Sequence, residues 1–285
     1  MQERSAPQQE ATINGRKSRS WTLEQGQCAE LAAHRIARVG IDVAYPPYRR
    51  VRLNPAGSFF MANLEGKGAM WLEGRWQTVK PGTLCLAPPR ILNALAATDR
   101  QRWIFAWVRY DEPTWVKPLV GASSPLRATE GAEQLGRVVE GLRTAWNGKR
   151  DPAEIHHWVD LVQRLCVQAA RPWQRSQRIG TLWESVMRDL TSDWKLSALA
   201  ARCNVSAEHL RRLCLRELGR TPMEQVTYIR IQRARELLET TDDKVEHIAG
   251  QTGYKSRDVF TRAFIRCVGL PPSDYRARGR RNQQP

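Results

Sequence analysis

The sequence is poor in the residues from which metal enzymes and disulfide-linked scaffolds are built. Its six cysteines, Cys28, Cys85, Cys166, Cys203, Cys214 and Cys267, are scattered with no CxxC pair, which argues against a structural zinc and against a disulfide framework. Histidine is scarcer still. Of the five, His34, His156, His157, His209 and His247, none falls in the strand-like stretch after Arg50. The adjacent pair His156-His157 would point about 100° apart on a helix, too divergent to chelate one ion. No metal, cofactor or catalytic residue is therefore expected, and the chain is read as not an enzyme. No apolar run approaches the ~18 residues of a membrane span, and the polar N-terminus has no signal-peptide core. No membrane partner is expected, and the cytoplasm is the expected compartment. Acidic residues are also short: 29 against 45 Lys and Arg leave a formal charge of +16, which favours a polyanionic partner. The excess is spread along the chain, so charge alone does not locate a contact surface.

What the sequence does contain, from Leu196 to Arg276, is one pattern written twice. Leu199-Ala200 recurs as Ile248-Ala249, Ser206 as Ser256, Leu210 as Phe260, Arg212 as Arg262, Cys214 as Phe264, Gly219 as Gly269 and Pro222 as Pro272. Apolar, capping and basic positions repeat together, which is the signature of a duplicated helix-turn-helix, at 196–217 and 245–268. In the first copy Ser197 is the expected cap, Cys203-Asn204-Val205 the turn and Ser206 the cap of the second helix, with Leu210, Leu213, Leu215 and Leu218 inside and Gly219 as its stop. In the second, Asp243 is the expected cap, Gly253 the turn and Ser256 the next cap, with Val259, Phe260 and Phe264 inside. Between the copies, Thr221-Pro222-Met223-Glu224 is a capping box with proline at the first helical position. It opens a helix to about Glu239, roughly 27 Å long, which could hold two recognition helices about one DNA turn, ~34 Å, apart.

These residues resemble a known family. The spacing of both motifs, the run Arg233-Ala234-Arg235-Glu236-Leu237-Leu238, the IAxxxGY run from Ile248 to Tyr254 and the closing GLPPSDYR from Gly269 to Arg276 are similar to the AraC/XylS bacterial transcription regulators. The resemblance covers about the last hundred residues. It implies that outward residues of the two recognition helices meet double-stranded DNA: Glu208, Arg211 and Arg212 in the first, Arg257, Asp258, Thr261 and Arg262 in the second. Arginine can pair with the guanine O6/N7 edge, and a carboxylate can accept from cytosine N4. Cys214 stands where the family has a large aromatic, and is read as a core substitution rather than a redox sensor.

The N-terminal part has a different texture. Residues 1–20 are polar and basic, and are expected as a disordered tail. From 21 to 120, short runs at Phe59–Leu64, Ala69–Leu72, Arg75–Val79, Thr83–Ala87 and Trp103–Val108 read as strands, with Glu73-Gly74 as a hairpin turn. They predict a small antiparallel barrel or jelly roll. Strand rhythm, the PGTLCLAPP segment and the WIFAWVRY strand resemble the cupin-like effector domain of the same family. That implies a small-molecule effector, a sugar or other metabolite, with Trp71, Trp76, Trp103 and Trp107 as candidate lining. Arg49, Arg50 and Arg52 are read as a solvated edge before a handle for an anionic effector. Two amphipathic helices are expected within 121–170, packed on the barrel or serving a homodimer. Residues 171–177 read as a linker, 178–278 as the DNA-binding domain and 279–285 as a tail.

The fold class is thus α+β: a cupin-like antiparallel β-barrel with helices, then an all-α domain with two helix-turn-helix motifs. The function expected is a sequence-specific, effector-responsive transcription regulator, in the family usually an activator that works with RNA polymerase. An enzyme of the metal-cupin class and a ligand-independent architectural DNA binder remain the alternatives.

Overall fold

Alternating side chains along the first hundred residues build two antiparallel sheets packed face to face. A computed structural model of the chain describes residues 7–72, 74–98, 102–113, 115–121, 127–128, 131–170 and 177–281. The strands are β1 (Ala11–Ile13), β2 (Arg19–Glu24), β3 (Ile36–Ala44), β4 (Arg49–Arg52), β5 (Phe59–Glu65), β6 (Gly68–Leu72), β7 (Arg75–Val79), β8 (Leu84–Ala87), β9 (Asn93–Ala97), β10 (Trp103–Tyr110) and β11 (Arg127–Ala128), with a short helix α1 (Ala29–Ala33) before β3. One sheet runs β1-β4-β9-β6-β7 and the other β11-β8-β5-β10-β3-β2. Alternation along β10 shows how they share the core. Trp103 and Phe105 point between the sheets, onto Tyr48, Met61, Met70 and Leu95. Ala106, Val108 and Tyr110 point the other way, onto helices α2 (Ala132–Asn147) and α3 (Pro152–Ala170), whose Leu135, Val139, Val159 and Val162 cover that outer face. The antiparallel barrel or jelly roll expected from strand rhythm is present in its two-sheet form, with one face roofed by helices.

Residues 11–13 and 19–20 fall in the stretch expected as a free tail, yet they form β1 and the start of β2; residues 1–6 lie outside the described ones. The reason is that strand β4 offers donors on its edge. Arg50 Nη1 donates to Ile13 O (2.9 Å) and Arg52 Nη1 to Thr12 Oγ1 (3.1 Å). A short polar edge strand has no apolar stripe, so composition alone reads it as coil. The expected linker falls almost wholly outside the described residues, and Arg281 carries the last helix into the segment expected as a C-terminal tail.

The second half is helical: α4 (Gln177–Arg188), α5 (Leu196–Arg202), α6 (Ala207–Leu218), α7 (Pro222–Thr240), α8 (Val245–Gln251), α9 (Arg257–Val268) and α10 (Pro272–Arg281). Its spine is α7, opened by the expected capping box: Glu224 N donates to Thr221 Oγ1 (3.3 Å) and Thr221 N to Glu224 Oε2 (2.8 Å). The N-terminal part of α7 gives Val226 and Ile229 to a core with Leu199, Leu210, Cys214, Leu218 and Trp183. Its C-terminal part gives Ile231, Ala234, Leu237 and Leu238 to a second core with Ile248, Phe260, Phe264 and Tyr275. One helix thus supports both copies of the repeat. Cys214 is fully buried, and burial pushes its thiol up to about 12, which fits a core residue. Two expected caps are not used. Ser197 lies inside α5 and Asp243 ahead of α8, because Lys195 and Lys244 occupy the N-cap positions without a side-chain bond.

Candidate nucleic-acid interface

Each copy of the repeat presents one helix outward on a turn of the same construction. Asn204 (φ 54°) and Gly253 (φ 81°) take the left-handed conformation at the bend. Val205 N then donates to Ala200 O (3.2 Å) and Tyr254 N to Ala249 O (2.9 Å). The second turn is longer by one residue, Lys255, before its cap. Ser206 Oγ accepts from His209 N (3.1 Å) and Ser256 Oγ from Asp258 N (3.2 Å), and left-handed Gly219 and Gly269 end the two helices.

From those caps onward α6 and α9 match position for position. Glu208 corresponds to Asp258, Arg211 to Thr261, Arg212 to Arg262, Leu215 to Ile265 and Arg216 to Arg266. Of the residues the sequence singles out, Glu208, Arg211, Arg212, Arg257, Asp258 and Arg262 are exposed and Thr261 is half-buried. They differ in freedom. Arg257 Nη1 lies 2.6 Å from Glu246 Oε1, and Arg212 Nη2 lies 3.3 Å from His209 Nδ1. Arg211 and Arg262 have no side-chain partner among the described residues. A hydrogen bond from its own backbone, and then the Arg257 guanidinium, hold Glu246 below the usual carboxylate range.

Sequence reasoning places Leu215 and Val259 in the buried faces, and both are instead outward. They are 47% and 48% exposed, and Ile265 is 39% exposed. The cores are filled at spacings of four, by Leu210, Cys214 and Leu218 in α6 and by Phe260, Phe264 and Val268 in α9, which turns residues 215, 259 and 265 away. The repeat itself carried the signal, since Leu215 and Ile265 both follow three residues after the outward arginines. Such a face combines guanidinium forks for guanine, carboxylates for cytosine N4 and apolar groups for thymine methyls.

The four tryptophans expected to line one interior divide between two faces. Trp103 is fully buried and Trp107 half-buried on the inward side of β10, with Trp103 Nε1 bonded to Asn63 Oδ1. Trp71 and Trp76 lie on the outer side of the five-stranded sheet, edge to face at 5.7 Å. They are excluded from the interior because Met70, Leu72 and Val79 take the inward positions of β6 and β7. Arg49 lies with them, 5.8 Å from the Trp76 ring, whereas Arg50 stacks 4.4 Å from Tyr48.

The two halves meet through the loop 88–92. Arg235, buried on α7, donates from Nη2 to Pro89 O (2.7 Å) and from Nε to Tyr275 Oη (3.1 Å). Arg90 Nε lies 3.3 Å from Glu239 Oε2, and Arg90 holds a left-handed backbone, φ 58°. A cavity of about 300 Å³ opens beside them, lined by Leu53, Leu92 and Glu112 on one side and Glu239, Leu270 and Tyr275 on the other. The hairpin tip also touches the helical half. A Cβ on Gly74, itself at φ +78°, would stand 1.9 Å from the Arg266 carbonyl oxygen.

Comparison with known proteins accords with both halves. Residues 199–278 match the model of a helix-turn-helix domain and residues 59–165 that of an AraC-like ligand binding domain. The MmsAB operon regulatory protein of Pseudomonas aeruginosa is 32% identical over 228 residues, covering 76% of this chain and 72% of that protein. The arabinose operon regulatory protein of Escherichia coli K12 is 22% identical over 245 residues, covering 79% and 82%. The solved DNA-binding domain of AdpA in complex with a target DNA is 27% identical, covers 37% of this chain and 96% of that one, and has a TM-score of 0.36.

Proposed function

We propose, from the premise that the chain belongs to the AraC family of transcription regulators, that it grips double-stranded DNA at two successive major-groove segments, one for α6 and one for α9. One observation carries this reading: two outward faces that match position for position are mounted on a single spine, α7, whose 19 residues span about 28 Å. The proposed contacts are Glu208, Arg211, Arg212, Arg257, Asp258, Thr261 and Arg262, with Leu215, Val259 and Ile265 facing the same groove. Residues 178–278 serve as the DNA-binding domain and 21–120 as the sensing domain, which takes a small-molecule effector. The helices of 121–170 both roof the sandwich and offer a face to a second copy of the chain. The protein carries out no chemistry of its own. It works in the cytoplasm beside the chromosome, with RNA polymerase as a partner.

Coupling between the halves is linkage. An effector that favours one arrangement of loop 88–92 against α7 shifts the population able to occupy DNA. The test is footprinting of the full chain on DNA from upstream of its own gene and its neighbours, at stated salt and beside random competitor. Two protected major-groove segments one turn apart are expected. Uniform, salt-sensitive coating would mean that net charge, rather than the paired helices, accounts for binding.

A further inference from the structure

One end of the sensing sandwich holds an arginine, Arg109, that forms no ion pair among the described residues. Arg109 lies on the inward side of β10, two residues beyond Trp107, with its guanidinium 4.8 Å from the centre of the Phe59 ring. Its neighbour across the sheet, Arg38, is paired with Glu24 at 3.3 Å. Arg52, on β4 of the opposite sheet, places its side-chain hydrogen bonds among the described residues, to Ala11, Thr12 and Val51, through Nη1. Burial first, and then the charges of Arg52 and Arg38, push Arg109 down to about 10, while Glu10 acts the other way. Among the described residues no carboxylate forms an ion pair with Arg52 or Arg109. The inward acid of β3, Asp42, is already committed, accepting from Tyr48 Oη (2.5 Å) and from Ser20 Oγ.

Donors without acceptors among the described residues lie on the same inward faces. Asn93 is paired with Arg52 in the β4–β9 register and is 1% exposed. Its side chain points inward, since Ala94 belongs to the outer cluster and Leu95 to the core between the sheets. Among the described residues its Nδ2 has no acceptor, and neither has the buried Nε1 of Trp107, whose ring lies over Gly40 of β3. A half-buried guanidinium with no ion-pair partner among the described residues and buried N–H groups without acceptors are each unfavourable. All the unsatisfied atoms here are donors, so the complementary ligand is one whose polar end only accepts. A planar carboxylate fits the guanidinium fork, and Phe59, Leu72 and Ala87 in the adjoining core are apolar enough to take a hydrocarbon body.

We propose that Arg52, Asn93, Trp107 and Arg109 bind the carboxylate of a small organic acid, and that this acid is the effector. The proposal rests on the sensing role given above and adds the ligand's chemical class. The site also lies one loop from the junction: β8 ends at Ala87, β9 begins at Asn93, and the residues between them include Pro89 and Arg90, which hold α7.

The test follows thermal unfolding of the full chain with straight-chain monocarboxylates from acetate to octanoate and with benzoate, each beside its neutral amide, and with inorganic phosphate. At least one carboxylate is expected to raise Tm where its amide does not, with its affinity about tenfold or more weaker in Arg109→Gln and in Arg52→Gln. Without added acid, Arg109→Met is expected to melt no lower than the parent, because it removes a half-buried charge that has no ion-pair partner among the described residues. The proposal is overturned if no carboxylate shifts Tm, if amides act as well as acids, if phosphate alone responds, or if Arg109→Met melts several degrees lower. The footprint separates this from the wider reading: a parent chain that fails to protect two segments refutes the regulator assignment, whereas a protected operator with no carboxylate response refutes only the acid site.

Discussion

Replacing Arg262 with Ala separates reading of bases from gripping of phosphates. Arg262 is exposed, stands one turn after Asp258 on α9, and has no side-chain partner among the described residues, so nothing must be broken before it meets DNA. A bidentate guanidinium–guanine pair discriminates by about 1–3 kcal/mol, or roughly 5- to 150-fold in affinity. Arg257, on the same helix, begins from its 2.6 Å pair with Glu246. Surrendering that exposed pair cancels part of what DNA returns, so Arg257→Ala is expected to cost less than Arg262→Ala, and Glu246→Gln to strengthen binding slightly. The assay is fluorescence anisotropy of the full chain with an operator duplex and a random duplex at several salt concentrations. Arg262→Ala should lose affinity for the operator and little for random DNA. A phosphate contact would instead weaken both and reduce the salt slope by about 1. Equal loss on both duplexes, or a larger effect of Arg257→Ala, would refute the reasoning from the free guanidinium.

Three other outcomes follow from the packing. All six cysteines are buried, and burial pushes Cys28 up to about 11 and Cys166 and Cys214 up to about 12; these three are expected to resist iodoacetamide at pH 8 in the folded chain and to label on unfolding, as mass spectrometry would show. Rapid labelling of the native protein at Cys214 would contradict its place in the core. Thr221→Ala removes the capping box of α7 and is expected to cost about 1 kcal/mol, or about 2–4 °C in Tm for a domain of 150–250 residues, while Thr221→Ser should be nearly neutral. At the left-handed Arg90, Gly relieves a backbone cost of about 1 kcal/mol that Ala retains; both lose the contact with Glu239, so Arg90→Gly should melt above Arg90→Ala, and the reverse order would show that the conformation is not held in solution.

Much of the helical half is legible in the sequence because its signals are local. Ser206, Ser256, Thr221, Gly219 and Gly253 each announce a cap or a turn within a few residues, and the duplication allows one copy to check the other. The strands β5 to β8 are legible for a similar reason, since alternation and turn residues lie side by side. What is not legible depends on distant partners. Trp71 and Trp76 alternate correctly along their strands, but which parity faces inward is decided by the opposing sheet, and Met70 and Leu72 take that side. The strand β9, Asn93–Ala97, is too rich in alanine to stand out, and β1 exists only because β4 offers it an edge. Leu215 and Val259 look like core residues by type, and only the filling of the cores at spacings of four turns them outward.

The junction between the halves is the least local feature of all, and it constrains how a signal can travel. Arg235 lies in the Arg233–Leu238 run that typifies the helical half, yet its Nη2 ends on Pro89 O, 146 residues earlier. Glu239, one turn further along α7, holds Arg90 on the same loop. Because α7 gives side chains to both helix-turn-helix cores, a shift of loop 88–92 bears on the spine common to α6 and α9 rather than on either reader alone. Coupling of this kind is carried by a shared two-state element. An effector acting through the loop should therefore change protection of both major-groove segments together. Protection that changed at one segment while the other stayed fixed would place the coupling elsewhere, in contacts made by a single recognition helix, such as that of α6 with β11.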